Sequence, residues 1–171
     1  VGRNFSLHPC SRVTALFDEP VDGWQGVPQG YCVDHFRDQG ILLEGTQGPP
    51  ALIDPFLPHH GRRYKDLFAR GRHVAAFGCM IRDASRGTVR SLGGWRPFLR
   101  YSMAPDDVRR MTRGLLELTR IFFAAGAKKV FPALQSVPEV SSVEELESRL
   151  ARPVAATQLE VMAFHPMGSC C

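Results

Sequence analysis

The nine residues from His73 to Ile81 are nearly all apolar and stand between polar, turn-forming segments. A short apolar run of this kind predicts a strand at the centre of a sheet. The segment Arg82–Gly87 turns the chain into a second predicted strand, Thr88–Ser91. Gly93-Gly94 turns it again into a third, Pro97–Ser102. Because strands joined by short connections pair antiparallel, this region predicts an antiparallel sheet.

A long amphipathic helix is predicted from about Pro105 to Ala125. Proline suits the first helical position, and Asp106 and Asp107 favour the positive end of the helix dipole. Gly126 is a typical helix terminator. Spacings of three and four residues align one apolar stripe for burial, formed by Val108, Met111, Leu115, Leu118 and Phe122.

Further strands are predicted at Arg12–Phe17, Gly30–Phe36 and Ile41–Glu44, where β-favouring residues lie between breakers. Ser142–Glu145 is a capping-box sequence that opens a short helix ending near Ala151. The fold class that follows is α+β, an antiparallel sheet of about five or six strands with helices packed on one face.

A shorter helix is predicted over Arg62–Arg70, where Tyr64, Leu67 and Phe68 have the spacing of one helical face. Amphipathic helices usually pack their apolar face inward, which makes a core-facing helix one interpretation. A lid over an apolar substrate channel is the other, since lids commonly lie beside such sites.

Composition excludes several classes of function. The net charge of +4 is small and its cations are scattered, so no nucleic-acid partner is expected. No apolar run is long enough for a membrane span. The five cysteines form no CxxC pair, which favours reduced thiols and a cytoplasmic location. His35 and the adjacent His59-His60 lack the spacing of zinc ligands, so we expect a solvated loop and no metal site.

The segment Phe164–Cys170 holds a histidine beside a proline, followed by glycine, serine and cysteine. It resembles the histidine motif of the glucose–methanol–choline (GMC) oxidoreductases, which runs His-x-x-Gly-Thr/Ser-Cys. Cys171 stands where that family usually has arginine. Leu159, Val161, Ala163 and His165 share one strand parity, which predicts that the histidine points the same way as three core-type residues.

Two other stretches carry the same resemblance. Val1–Pro9 is similar to a second family motif, Gly-x-Asn-Leu-x-x-His, with Asn4 and His8 at its polar positions. Gly78–Pro132 is similar to the family's substrate domain. No Gly-x-Gly-x-x-Gly follows a predicted strand, so the dinucleotide-binding half is missing. We therefore expect residues 1–171 to be a single substrate-binding domain, an internal fragment of a longer enzyme.

The resemblance implies an FAD-dependent enzyme that oxidises a small-molecule alcohol, with long-chain alcohols closest in character. It implies that His165 is the general base and that the FAD-binding half of the same protein holds most of the flavin. Asn4, Gly168, Ser169 and Cys170 are expected close to that flavin. His8 would either fix its loop with a hydrogen bond or take part in catalysis.

Two other functions fit the same sequence. One is a flavin-free binding or interaction module that keeps the fold. The other is an unrelated α+β protein whose motif arose by chance, since the architecture serves many cofactors and functions.

Overall fold

A computed structural model describes residues 1–49, 57 and 59–168. Ser169 and Cys170 therefore lie outside the described residues. The described chain forms the strands β1 Arg3–Phe5, β2 Pro9–Leu16, β3 Cys32–Val33, β4 Ile41–Gly45, β5 Val74–Ile81, β6 Gly87–Ser91, β7 Pro97–Arg100, β8 Lys129–Phe131 and β9 Met162–Ala163. Its α-helices are α1 Gly61–Ala69, α2 Pro105–Ala124 and α3 Val143–Leu150.

The larger sheet has six strands, which pair in the order β3-β4-β5-β2-β8, while β9 also pairs with β2. A smaller sheet has the order β1-β6-β7. All the pairs between these strands are antiparallel. The predicted α+β class with an antiparallel sheet is therefore confirmed.

One face of the large sheet packs against α2 and α3. Alternate residues of β2, β4 and β5 meet the apolar stripe of α2, as the two periodicities require. The resulting core includes Val13, Ala15, Leu43, Cys79, Ile81, Met111, Leu115, Leu118, Val130 and Leu146. None of the described helices combines the length and the apolar character that a membrane crossing requires.

The opposite face of the sheet is divided in two. At one end α1 covers it, and Leu67 packs in a second, smaller core with Leu16, Val74, Leu57 and Phe131. This packing agrees with the core-facing interpretation of α1. At the other end the sheet is left uncovered by α1, and a cavity lies there.

The predicted strand Gly30–Phe36 is mostly wrong, since only Cys32–Val33 pairs with a neighbour. Tyr31 is 84% exposed, so its β-favouring ring has nothing to pack against. The chain turns early because the amide of Arg37 donates to the carbonyl of Asp34 (2.8 Å). Local turn hydrogen bonds compete successfully with a strand whose side chains bury little area.

Helix α2 lies so close to β5 that no side chain fits at Gly114. A Cβ built there would stand 2.1 Å from Sγ of Cys79. We expect Gly114→Ala to lower the free energy of unfolding by about 1–3 kcal/mol through overpacking, despite alanine's higher helix propensity. Urea unfolding measures this loss.

Cys79→Ala supplies the matched partner for that experiment. It removes the sulfur that the new methyl would strike, so the double variant should be more stable than the sum of the two single effects predicts. A double-mutant cycle should show a favourable coupling of at least about 1 kcal/mol. Additive effects would contradict this account of the contact between α2 and β5.

Candidate functional site

The two motif segments, which lie at opposite ends of the chain, are neighbours in the fold. Ser6 and Met167 form an antiparallel bridge through two backbone hydrogen bonds of 2.9 and 2.8 Å. Next to it, β9 pairs with the start of β2, with Ala163 opposite Pro9. Residues 162–167 therefore run beside residues 6–10, and the position of each segment depends on the other.

The rings of His8 and His165 come together at this junction. Their centroids are 5.6 Å apart and their planes are inclined by 52°. Among the described residues His8 makes this ring contact and no side-chain hydrogen bond. Within the described residues, the loop of His8 is held by the backbone bridge of Ser6 and not by a hydrogen bond of the His8 side chain.

The backbone of the N-terminal segment is unusual at two positions. Asn4 has a φ of 60° and forms a bulge in β1, where Arg3 and Phe5 pair with the consecutive residues Thr88 and Gly87. His8 has a φ of 49°, a left-handed conformation that is costly for a residue with a Cβ. Strained backbone of this kind clusters at functional sites.

Gly168 lies directly against this bulge. Its φ is 81°, and a Cβ at this position would lie 3.0 Å from the carbonyl oxygen of Asn4. Glycine is the residue that satisfies both conditions, a positive φ and a close backbone approach. The structure thus brings Asn4 close to Gly168 and His8 close to His165.

The buried carboxylate of Asp83 holds the N-terminal segment in place. Oδ1 of Asp83 accepts a hydrogen bond from the Ser6 hydroxyl (2.9 Å), and its Oδ2 accepts one from the Tyr101 hydroxyl (2.6 Å). Burial and this carboxylate raise the pKa of Tyr101, so its hydroxyl stays protonated and donates. The Phe5 ring meets the Tyr101 ring edge-on at 6.5 Å. These contacts fix Ser6, and through its bridge they fix Met167.

A cavity of about 510 Å³ lies over the uncovered part of the large sheet. Its floor contains one cross-strand row, in which Glu44 and Arg12 stand on either side of Gly78. Its walls are largely apolar, and His165 lies at its rim. The lining includes Cys10, Pro28, Met80, Met162 and Phe164.

Arg12 is the charged group most deeply placed in this floor. Its side chain is buried, and Nη2 donates to the carbonyl of Thr46 (2.9 Å). Burial lowers the pKa of the Arg12 guanidinium to about 10, so it stays charged at neutral pH. At Gly78 a Cβ would stand 2.7 Å from Cγ2 of Thr46, so glycine leaves room for that side chain.

Neither cysteine near the cavity is a thiolate. Burial, reinforced by the charge of Glu44, raises the pKa of Cys10 to about 11. Its thiol donates to the carbonyl of Met162 (3.5 Å). Burial raises the pKa of Cys79 to about 12. Because the thiolate is the nucleophile, these two residues are not suited to nucleophilic catalysis at neutral pH.

The strand expected to carry His165 is much shorter than predicted. The strand itself is Met162–Ala163, with a separate bridge from Leu159 to Leu134, and both Val161 and Ala163 are exposed although Leu159 is buried. The prediction that His165 shares the direction of three core residues is therefore wrong. The chain leaves the sheet after Ala163, so the two-residue alternation does not continue to the histidine, which is exposed.

The sequence suggested that His59 lies in a solvated loop, and in the structure it does not. Its Nε2 lies 3.0 Å from Oε2 of Glu139, and its side chain is mostly buried. Lys129 donates to the other oxygen of Glu139 (2.8 Å), and this bond is the main cause that lowers the pKa of the Glu139 carboxyl. Within the described parts of the chain, no three His, Cys, Asp or Glu side chains form a group that could hold a metal.

Sequence reasoning missed Arg12 and Glu44 in the cavity floor. It also missed Asp83, which holds Ser6 and Tyr101. Arg12 had a signal, because it is the one charged residue of the predicted strand Arg12–Phe17. The position of Glu44 opposite Gly78 follows only from the strand register, which the sequence pattern does not reveal. Asp83 lies in a turn full of polar residues, and nothing in the local pattern distinguishes it.

No family model matches the chain. The chain is 35% identical over 170 residues to an uncharacterised GMC-type oxidoreductase of Mycobacterium tuberculosis, found in strains CDC 1551 and H37Rv. That match covers 99% of this chain and 27% of the relative. An uncharacterised GMC-type oxidoreductase of Sinorhizobium fredii is 30% identical over 172 residues, which is 99% of this chain and 34% of the relative. The chain thus spans about a third or less of the length of these relatives.

Proposed function

Because the chain belongs to the GMC-type oxidoreductases, we propose that it is the substrate-binding domain of a longer FAD-dependent enzyme. That enzyme oxidises the CH–OH group of an alcohol to a carbonyl. The observation that carries the proposal is the position of His165, which is exposed at the rim of a largely apolar cavity. An alcohol held in that cavity can present its hydroxyl to the imidazole.

His165 accepts the hydroxyl proton in this proposal. An imidazole can act as a base near neutral pH when it lies within hydrogen-bond reach of the proton. Once protonated, it also stabilises negative charge that develops on the alcohol oxygen. The neighbouring His8 ring and the Ser6–Met167 bridge restrict where the imidazole can move.

The residues around His165 fit a flavin brought by another part of the protein. Asn4 and Gly168 place backbone and small groups at the surface, where a planar ring can approach closely. Exposed Phe164 and Met167 add apolar surface next to them. By the family resemblance, Asn4, Gly168, Ser169 and Cys170 would contact the flavin. When bound, FAD supplies the acceptor for the hydride.

The lining of the cavity supports an apolar alcohol as substrate. Met80, Met162 and Phe164 offer apolar surface to an aliphatic chain, and methionine adapts to irregular shapes. A sugar presents many hydroxyls, each of which needs a polar partner when it is buried.

The free thiols of Cys10, Cys32 and Cys79 support a cytoplasmic location, where thiols stay reduced.

A second candidate is a flavin-free binding module. It is supported by the cavity itself, whose lining comes from this chain alone. Such a module would bind an apolar ligand at the same place without removing a hydride. The two candidates differ in whether an alcohol reduces a bound flavin.

The experiment is anaerobic mixing of the flavin-loaded longer protein with primary alcohols from butanol to dodecanol, and with glucose. We expect the alcohols to bleach the visible flavin absorbance and glucose not to do so. The 171-residue chain alone should be colourless. A chain that purifies with stoichiometric flavin, or a flavin that no alcohol reduces, would contradict the proposal.

Met80→Trp tests the cavity as the substrate site. The larger ring fills space over the sheet, so KM should rise about tenfold or more for dodecanol and change little for butanol. Ile121→Trp on the exposed side of α2 is the matched control and should leave both values unchanged. An equal effect of Met80→Trp on both alcohols would place the substrate elsewhere.

A further inference from the structure

The hairpin formed by β6 and β7 exposes four large apolar side chains. Trp95 is 89% exposed and Leu92 is 69% exposed, and both lie in its tip. Phe98 and Leu99 follow on β7, where all four residues are exposed. Apolar groups gathered at one place on a surface mark an interaction site.

The charge of the hairpin has one sign. Residues 84–105 contain four arginines and no aspartate or glutamate. Arg90, Arg96 and Arg100 are exposed, and in the described part of the chain their side chains make no hydrogen bond or ion pair. These three cations therefore remain available to an anionic partner.

The tip is shaped by its turn. The amide of Leu92 donates to the carbonyl of Arg96 (3.0 Å), and the Ser91 hydroxyl donates to the carbonyl of Gly94 (3.1 Å). Gly93 and Gly94 have φ values of 109° and 57°, which other residues rarely adopt. The tip is thus a tight turn that presents two large apolar side chains at its end.

We infer that this hairpin docks on an anionic lipid bilayer. Leu92 and Trp95 would enter the interfacial region, where tryptophan is favoured. Arg90 lies about 7 Å behind Leu92 along the strand, since a strand rises about 3.3 Å per residue. Apolar groups of interfacial elements bury about 5–10 Å deep, so Arg90 would lie at the level of the lipid phosphates, with Arg100 farther out. Arg96 stands opposite Leu92, and its long side chain would reach back to the same phosphates.

A second copy of the chain fits this surface less well. β7 is an edge strand, but pairing two β7 strands would bring the arginines of both hairpins together, and like charges across strands are destabilising. Pro97 also removes one backbone donor from that edge. A lipid surface carries the complementary charge and needs no strand pairing.

The test uses Trp24→Phe, which leaves Trp95 as the single tryptophan of the chain. The protein is mixed with vesicles of phosphatidylcholine alone and of phosphatidylcholine with a third phosphatidylglycerol. With the anionic vesicles we expect co-sedimentation and a blue shift of Trp95 emission, both reduced by added salt. With the neutral vesicles we expect weak binding.

A variant that neutralises the three exposed arginines of the hairpin (Arg90→Gln, Arg96→Gln and Arg100→Gln) should bind the anionic vesicles about a hundredfold more weakly. Each cation near an anionic surface contributes about fivefold to this binding. The matched control neutralises three exposed cations of α1 by Arg62→Gln, Arg63→Gln and Lys65→Gln. It should retain most of the binding. Far-UV circular dichroism confirms that both triple variants are folded.

Three results would overturn the inference. The first is unchanged Trp95 emission in the presence of anionic vesicles. The second is equal loss of binding in the hairpin variant and the α1 variant. The third is sedimentation of the free protein as a dimer that Trp95→Ala dissociates, which would make a second copy the partner. None of these results depends on flavin or on turnover, so the inference stands or falls apart from the proposed enzyme activity.

Discussion

Replacing His165 with glutamine is expected to slow alcohol oxidation in the flavin-loaded enzyme by about one hundred to ten thousand fold. Glutamine keeps a polar side chain of similar reach but cannot accept the hydroxyl proton. The loss should appear in kcat and in kcat/KM alike, because the proton is transferred only as the reaction proceeds. Single-turnover bleaching of the flavin measures it directly.

A second variant separates a base from a structural residue. His8→Gln is the comparison variant, because the ring of His8 lies 5.6 Å from that of His165 and its loss leaves the His165 imidazole in place. If His165→Gln kept its flavin and its rate within a few-fold of wild type, the role proposed for His165 would be wrong.

Asp107→Asn is expected to cost about 3–5 kcal/mol of unfolding free energy. Asp107 is fully buried at the start of α2. Its carboxylate accepts hydrogen bonds from the amides of Ala84 (3.0 Å) and Ser85 (2.8 Å), from the Ser85 hydroxyl (2.5 Å) and from Nη1 of Arg110 (2.6 Å). Every one of these neighbours is a donor.

Asparagine places an amide nitrogen among those donors, so buried N–H groups lose their acceptor. Such a loss is a large share of the 5–15 kcal/mol that stabilises a typical domain. Asp106→Asn is the matched control, because Asp106 is exposed and its ion pair among the described residues is with Arg109 at the surface. It should cost less than about 1 kcal/mol. Equal urea midpoints for the two variants would contradict the role assigned to Asp107.

Acid should reveal the same network. Burial raises the pKa of Asp107, but the hydrogen bonds from Ser85 and Ala84 and the charge of Arg110 lower it further, so the net shift is downward. The stabilisation is therefore complete above the ordinary aspartate pKa of about 3.9 and is lost as the pH falls through the lower folded value. The Asn variant should lack this component of acid destabilisation. Urea midpoints recorded from neutral pH into this acid range measure the difference.

The parts of the fold that sequence predicts well are those with a long repeating pattern. The apolar stripe of α2 and the apolar run of β5 each extend over many residues, so each pattern predicts the type of its element. Both elements lie within a residue or two of the predicted bounds. Gly30–Phe36 offered only composition, and a turn at Asp34 overrode it. Asp107 was expected only as a favourable charge at a helix start. Its partners Ala84 and Ser85 lie more than twenty residues away, and the local pattern contains nothing about them.

The candidate site divides in the same way. The two motifs marked Asn4, Gly168 and His165 as site residues, but the contact between the two segments through the backbone of Ser6 was seen only in the structure. The cavity could not be predicted, because it depends on the register that sets Glu44 and Arg12 on either side of Gly78. Its apolar lining comes from segments that are far apart in sequence.

The alternation along the central strands has an evolutionary consequence. On β5, Cys79 and Ile81 contact the helices, whereas Gly78 and Met80 contact the cavity. A change at Met80 can alter the shape of the cavity while the residues that pack against the helices stay the same, whereas Gly78 is constrained by its contact with Thr46. Under the proposed function, a single substitution at this cavity-facing position can therefore change substrate preference without compensating changes in the interior.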